Sequence, residues 1–183
     1  QFSDDRTLTI QGVQRLRGAE HHVIPDRLEA ASFAALALAT KGDVLLTGTA
    51  QDDLMPFLSF LEPMKASVEI RDDAVRVWYS QPLVAPTLHT GVFPGFATDW
   101  QQPATVVLTQ AAGTSVVHET VYEDRFGYTD DLNRMGAQIT VDTDCHGQLC
   151  RLADSGARHT AVVHGPTLLH ATNLTIPDIR AGM

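Results

Sequence analysis

The chain has 183 residues, enough to bury a full hydrophobic core. Its 44% hydrophobic and 19% charged content is that of a globular chain and excludes an extended disordered one. A formal net charge of −9 argues against a general nucleic-acid or anionic-membrane surface, which needs clustered Lys and Arg. A single basic pocket for a phosphorylated ligand remains compatible with that charge.

Thr7-Leu8-Thr9-Ile10 alternates polar and apolar residues, the pattern of a half-buried strand, and His21 to Ile24 reads as a second strand. Pro25-Asp26 opens an Ala- and Leu-rich helix over Arg27 to Thr40, which Lys41-Gly42 closes as cation and left-handed cap. Around residues 30–39 lies the longest apolar stretch, too short to span a bilayer. With no signal segment at the start, a soluble cytoplasmic protein is expected. Val44-Leu45-Leu46 is a short strand. Asp52-Asp53 starts a helix with Leu54, Phe57, Leu58 and Leu61 on one face, Pro56 in its first turn and Pro63 at its end. Val68 to Ile70 and Val75 to Trp78 form a hairpin joined at Asp72-Asp73.

A second pass then repeats the first. Gly42 and Gly113, Leu61 and Leu132, Met64 and Met135, Ala66 and Ala137, Val68 and Ile139, and Ile70 and Val141 are each 71 residues apart. Constant spacing over helix, strand and hairpin predicts a strand-helix-strand-helix-strand-strand unit written twice. An aspartate marks each first-helix start, in Pro25-Asp26-Arg27, Thr98-Asp99-Trp100 and Pro177-Asp178-Ile179-Arg180. The third falls close to Met183. One partial domain is therefore expected, with repeat one at about 7–80, repeat two at about 81–150 and the start of a third at about 151–183. Such units pack against one another, so the remaining apolar surface calls for further residues, a companion domain or a second chain. The initial Gln1 likewise suggests a piece of a longer product.

The runs HHVIPDRLEAASF, FPGFATDWQQ, ETVYEDRFGYTDDLNRMGA and PDIRAG, in that order, resemble the second domain of UDP-N-acetylglucosamine enolpyruvyltransferases. The resemblance covers almost the whole chain. It implies an α/β (α+β) fold, the inside-out α/β barrel domain of the enolpyruvyl transferase type built from βαβαββ repeats. It also implies an active site in the cleft towards a companion domain. That family moves the enolpyruvyl group of phosphoenolpyruvate onto the sugar 3-hydroxyl of UDP-N-acetylglucosamine, in peptidoglycan precursor synthesis, without a cofactor.

By the same resemblance, Asp99 is the carboxylate that hydrogen-bonds the sugar hydroxyl and is the candidate base, a task a positioned carboxylate can perform. Arg125 is an arginine at the phosphate-bearing substrate, Arg180 grips the phosphoenolpyruvate carboxylate, and Asp178 positions active-site groups. A guanidinium fork suits both anions. Val121 and its neighbours lie along the nucleotide sugar. The chain departs from the family at Ala97 for proline, Trp100 for a small or flexible residue, Pro103 in the first helical turn and Lys65 for glycine. The reactive loop and paired lysine belong to segments outside this sequence, so the isolated chain is expected to be inactive.

Without that context, an Asp before a helix reads as an N-cap and an Arg in a turn as a surface residue. Trp100 reads as packing or as a platform for a uracil ring. Eight histidines and the pair Cys145 and Cys150 invite a metal reading, but their pattern in the sequence gives no expectation of a metal site. The two cysteines could pair, yet do not make a secreted disulfide scaffold. The alternative function is a non-catalytic relative that binds a nucleotide sugar or acts through protein contacts.

Overall fold

A computed structural model describes residues 7–147 and 150–175. Asp178 and Arg180 lie outside the described residues. Helix α1 (Arg27–Ala39) opens on Asp26, whose Oδ1 accepts the backbone N–H groups of Leu28 at 2.8 Å and Glu29 at 3.3 Å. Those donors have no partner within the helix, and the cap satisfies them. At the other end the left-handed residue is Lys41, with φ 56°, not Gly42. Gly42 instead donates its N–H to the Ala37 carbonyl at 2.6 Å.

The strands expected at Thr7 to Ile10 and at His21 to Ile24 do not form. Residues 7–26 are exposed and carry no strand beyond a single bridge at Leu8. A strand needs an edge to pair with and a face to bury, and Val23 and Ile24 have no apolar cover. After α1 come β1 (Asp43–Thr47), α2 (Gln51–Leu61), β2 (Ser67–Ile70) and β3 (Ala74–Trp78). The three strands make an antiparallel sheet of order β1-β3-β2. Helix α2 begins at Gln51, so Pro56 sits in its second turn, where it removes one backbone hydrogen bond.

Strand β4 (Thr87–His89) is followed by a 3₁₀ turn at Thr98–Trp100 and by α3 (Gln101–Leu108), β5 (Gly113–His118), α4 (Tyr128–Arg134), β6 (Gln138–Asp142) and β7 (Thr160–Gly165). Their sheet has the order β4-β5-β7-β6, with β4 parallel to β5 and the other pairs antiparallel. Gly113 opens β5 at φ 117°, and α3 ends before it at Leu108 with Thr109 as its C-cap. The β5-β7-β6 order matches β1-β3-β2, but residues 143–159 lengthen the second hairpin.

Helix ends also match at the 71-residue spacing. Ala66 N–H donates to Leu61 O and Ala137 N–H to Leu132 O, while Lys65 (φ 61°) and Gly136 (φ 107°) both take the left-handed region. Only the second needs glycine for space, since a Cβ at Gly136 would lie 2.9 Å from the Leu168 carbonyl oxygen.

Helix α1 packs on β1 and β3, α3 packs on β5 and β7, and the two helices pack on each other. Ala30, Ala31, Ala34 and Ala35 of α1 and Ala104 of α3 are buried, and small side chains allow that close approach. Phe57 and Phe60 of α2 meet Phe96 and Trp100, with ring centroids 5.3–6.0 Å apart between the two pairs. This aromatic cluster fixes the 3₁₀ turn against the first sheet's layer. Phe33 and Leu36 on the outer side of α1 stay exposed beside a hollow of about 400 Å³. Neither sheet closes on itself, so the described residues form an open α+β arrangement rather than a closed barrel. No helix among them is long and apolar enough to cross a membrane.

Candidate functional site

The site starts from the turn that precedes α3. Trp100 is 1% exposed and plugs the aromatic cluster, so it serves packing and its ring offers no open face for a base. With Trp100 facing inward, Asp99 beside it keeps a side chain that is one-third exposed. The N-cap residues of the turn and of α3, Ala97 and Trp100, make no side-chain cap, and Asp99 reaches another segment. Its Oδ1 instead accepts a short hydrogen bond from Arg125 Nη2, in the loop between β5 and α4.

Arg125 is held on several sides. Its side chain is only 11% exposed, its Nη1 donates to Thr98 Oγ1 at 2.9 Å, and its guanidinium carbon lies 5.2 Å from the Tyr122 ring centroid. Thr98 Oγ1 in turn donates to Glu119 Oε2 at 2.9 Å. Glu119 is fully buried at the end of β5 and organises the whole corner. Its Oε2 also accepts Gln101 Nε2 at 2.6 Å, and its Oε1 accepts the N–H groups of Val121 at 2.7 Å and Tyr122 at 3.1 Å. A buried carboxylate is tolerated because its lone pairs are taken by donors. One acid thus ties the α3 entry to the loop that carries Arg125.

Asp99 and Val121 line a hollow of about 270 Å³ together with Arg27, Phe93, Thr98 and Tyr122. Arg27 comes from the first turn of α1 and stands 5.9 Å from the Phe93 ring and 5.7 Å from the Trp100 ring. The hollow therefore has a carboxylate, a cation and aromatic faces around one opening, with Arg125 paired to the carboxylate from behind. Such a surface can accept a proton from a hydroxyl and can hold an anion. Of the residues expected from the sequence, Asp99, Val121 and Arg125 come together. Asp178 and Arg180 lie outside the described residues.

A family model described as EPSP synthase (3-phosphoshikimate 1-carboxyvinyltransferase) matches residues 1–183. The chain belongs to this family. Among curated relatives it is 47% identical over 180 residues to the UDP-N-acetylglucosamine 1-carboxyvinyltransferase of Protochlamydia amoebophila, a match covering 97% of this chain and 39% of that protein. It is 42% identical over 181 residues to the enzyme of the same name from Chlamydia muridarum, covering 98% and 41%. The chain thus spans about two-fifths of the length of these relatives. In fold it is similar to the enolpyruvyl transferase NikO from Streptomyces tendae, with a TM-score of 0.72 at 23% identity over 87% of this chain and 35% of that one. EPSP synthase from Acinetobacter baumannii follows at a TM-score of 0.56 and 15% identity, over 88% of this chain and 36% of that one.

Glu119, Thr98, Gln101 and Arg27 escaped the sequence reading as site residues. Glu119 left one signal, an acid directly after the apolar strand run Ser115 to His118, where burial forces it to find donors. Thr98 and Gln101 left none, because their partners are about twenty residues away.

Proposed function

We propose that this chain is part of a UDP-N-acetylglucosamine enolpyruvyltransferase, with Asp99, Val121 and Arg125 on its half of the active-site cleft. The pairing of Asp99 with Arg125 at the rim of a hollow also lined by Val121 is the observation that carries this reading. The relatives' names supply the substrate class. In the proposed reaction the sugar 3-hydroxyl oxygen forms the new bond to the enolpyruvyl carbon of phosphoenolpyruvate. Its proton passes to Asp99, and phosphate departs. Arg125 fixes the carboxylate in place and stabilises negative charge that develops on the phosphate side. Glu119 acts as a positioning residue through Thr98 and the loop N–H groups. Asp178 and Arg180 are proposed to complete the anion site, and a companion domain or chain to close the cleft, in the cytoplasm.

We further read the chain as two copies of one unit followed by the start of a third. The shared sheet order and the matching helix-end hydrogen bonds at Leu61 and Leu132 support it. The functional part is tested in a full-length protein carrying this chain. Arg125→Ala should lower kcat/KM for phosphoenolpyruvate by a factor on the order of ten to a thousand. An unchanged rate removes Arg125 from the site.

A further inference from the structure

The second hairpin carries a group of side chains that the enolpyruvyl reading leaves unused. One nitrogen of His118, one nitrogen of His159 and the sulfur of Cys150 all lie within 4.8 Å of one another. Cys145 joins them, with its Sγ 3.4 Å from His159 Nε2. We propose that Cys145, Cys150, His118 and His159 form a four-ligand structural site for zinc or a similar tetrahedral thiophilic cation.

Three features point to a ligand rather than to chance proximity. First, His118 is fully buried and its Nε2 has no hydrogen-bond partner, which is costly for a polar atom unless something binds it. Second, both imidazoles are oriented as metal ligands are. His118 Nδ1 is hydrogen-bonded to Thr160 Oγ1 at 2.9 Å, and His159 Nδ1 to the Ala157 carbonyl at 2.8 Å. An outer partner on one ring nitrogen leaves the other free to coordinate. With the Ala157 carbonyl as acceptor, His159 carries its proton on Nδ1 and presents a lone pair on Nε2. Third, Cys150 Sγ already accepts the N–H of Leu152 at 3.3 Å, a bond that would stabilise a thiolate.

Chemistry and spacing select the cation. Two thiolates and two imidazoles in a tetrahedron suit zinc, at bond lengths of about 2.0–2.3 Å. Four residues separate Cys145 from Cys150, a gap that structural zinc sites do use, which reverses the expectation drawn from the sequence pattern. Both histidines are buried and all four positions are filled by protein, so the site has no open position for catalysis. Its effect is on the fold. The ligands tie the connection over residues 143–159 to β5, and the His159 carbonyl accepts the N–H of Glu119 at 2.8 Å. A cation here would stiffen the strand end that holds the buried carboxylate.

The test is titration of the reduced, chelator-treated protein with cobalt(II) and then zinc(II). One equivalent per chain should bind, cobalt should give the strong visible bands of a tetrahedral thiolate site, zinc should displace it, and Tm should rise. Thr160→Val, which touches the ring and not the cation, should weaken binding about 10- to 100-fold. Cys150→Ser should abolish the thiolate bands, and His21→Ala, exposed and far in sequence from the cluster, should leave them unchanged. Weak octahedral bands with no thiolate character would overturn the proposal. So would sub-stoichiometric zinc, or a Cys145–Cys150 disulfide in protein isolated under reducing conditions.

Discussion

Two helix entries in this molecule begin with an acid, and they use it differently. At α1, Asp26 turns back onto its own helix and caps the N–H groups of Leu28 and Glu29. Before α3, Asp99 reaches Arg125 in another segment. The 71-residue spacing pairs Asp26 with Ala97 and places Asp99 two positions later, so the two acids are not equivalent. The α3 entry is held by other means, namely Trp100 in the aromatic cluster and Glu119 through Thr98 and Gln101.

The comparison can be broken most strongly at the supports of the second entry. Trp100→Ala should cost roughly 3–5 kcal/mol by urea denaturation, as large aromatic truncations in cores do. A small loss of stability with a large loss of nucleotide binding would mean that the ring stacks on ligand instead. Glu119→Ala should cost about 2–4 kcal/mol, since it strands several buried donors. Glu119→Gln should recover part of that, because the amide oxygen can still accept.

At the first entry, Asp26→Ala should cost about 1 kcal/mol, the worth of an N-cap. Asp99→Asn should cost no more than that by the same measurement, because its carboxylate is one-third exposed and the amide oxygen can still accept from Arg125. A smaller, pH-dependent effect comes from Tyr128, whose hydroxyl meets Thr105 Oγ1 at 2.8 Å. Removal from water raises its pKa above the ordinary 10.0, so the fold disfavours the phenolate. The unfolded chain then loses its proton first, and stability should fall as pH rises above 10. Tyr128→Phe should flatten that fall in alkaline unfolding curves.

Much of the fold was legible in the sequence because periodicity and turn chemistry are local. The apolar face of α2, the hairpin at Asp72-Asp73 and the Asp26 cap all follow from residues a few positions apart. The strand expected at His21 to Ile24 failed because strand formation depends on a distant edge, which local alternation does not report. Lys41 in place of Gly42 at the α1 exit shows that cap position is uncertain by one residue even when the cap is correctly placed. In the candidate site, Asp99, Val121 and Arg125 were singled out only through motif resemblance, since spacing says nothing about a contact between residues 26 positions apart. Glu119 and the histidine–cysteine cluster were missed for the same reason. His118 meets Cys150 and His159 only when β5 and β7 pair.

The most direct measurement compares two alanine variants in a full-length protein carrying this chain. Calorimetric titration with UDP-N-acetylglucosamine and steady-state kcat/KM should be run on Asp26→Ala and Asp99→Ala side by side. Asp26→Ala should match the parent in both, whereas Asp99→Ala should weaken binding and lower kcat/KM by a factor on the order of 10²–10⁴, the contribution of a positioned base. Equal binding and equal rates for the two variants would contradict a role for Asp99 beyond the turn that holds it.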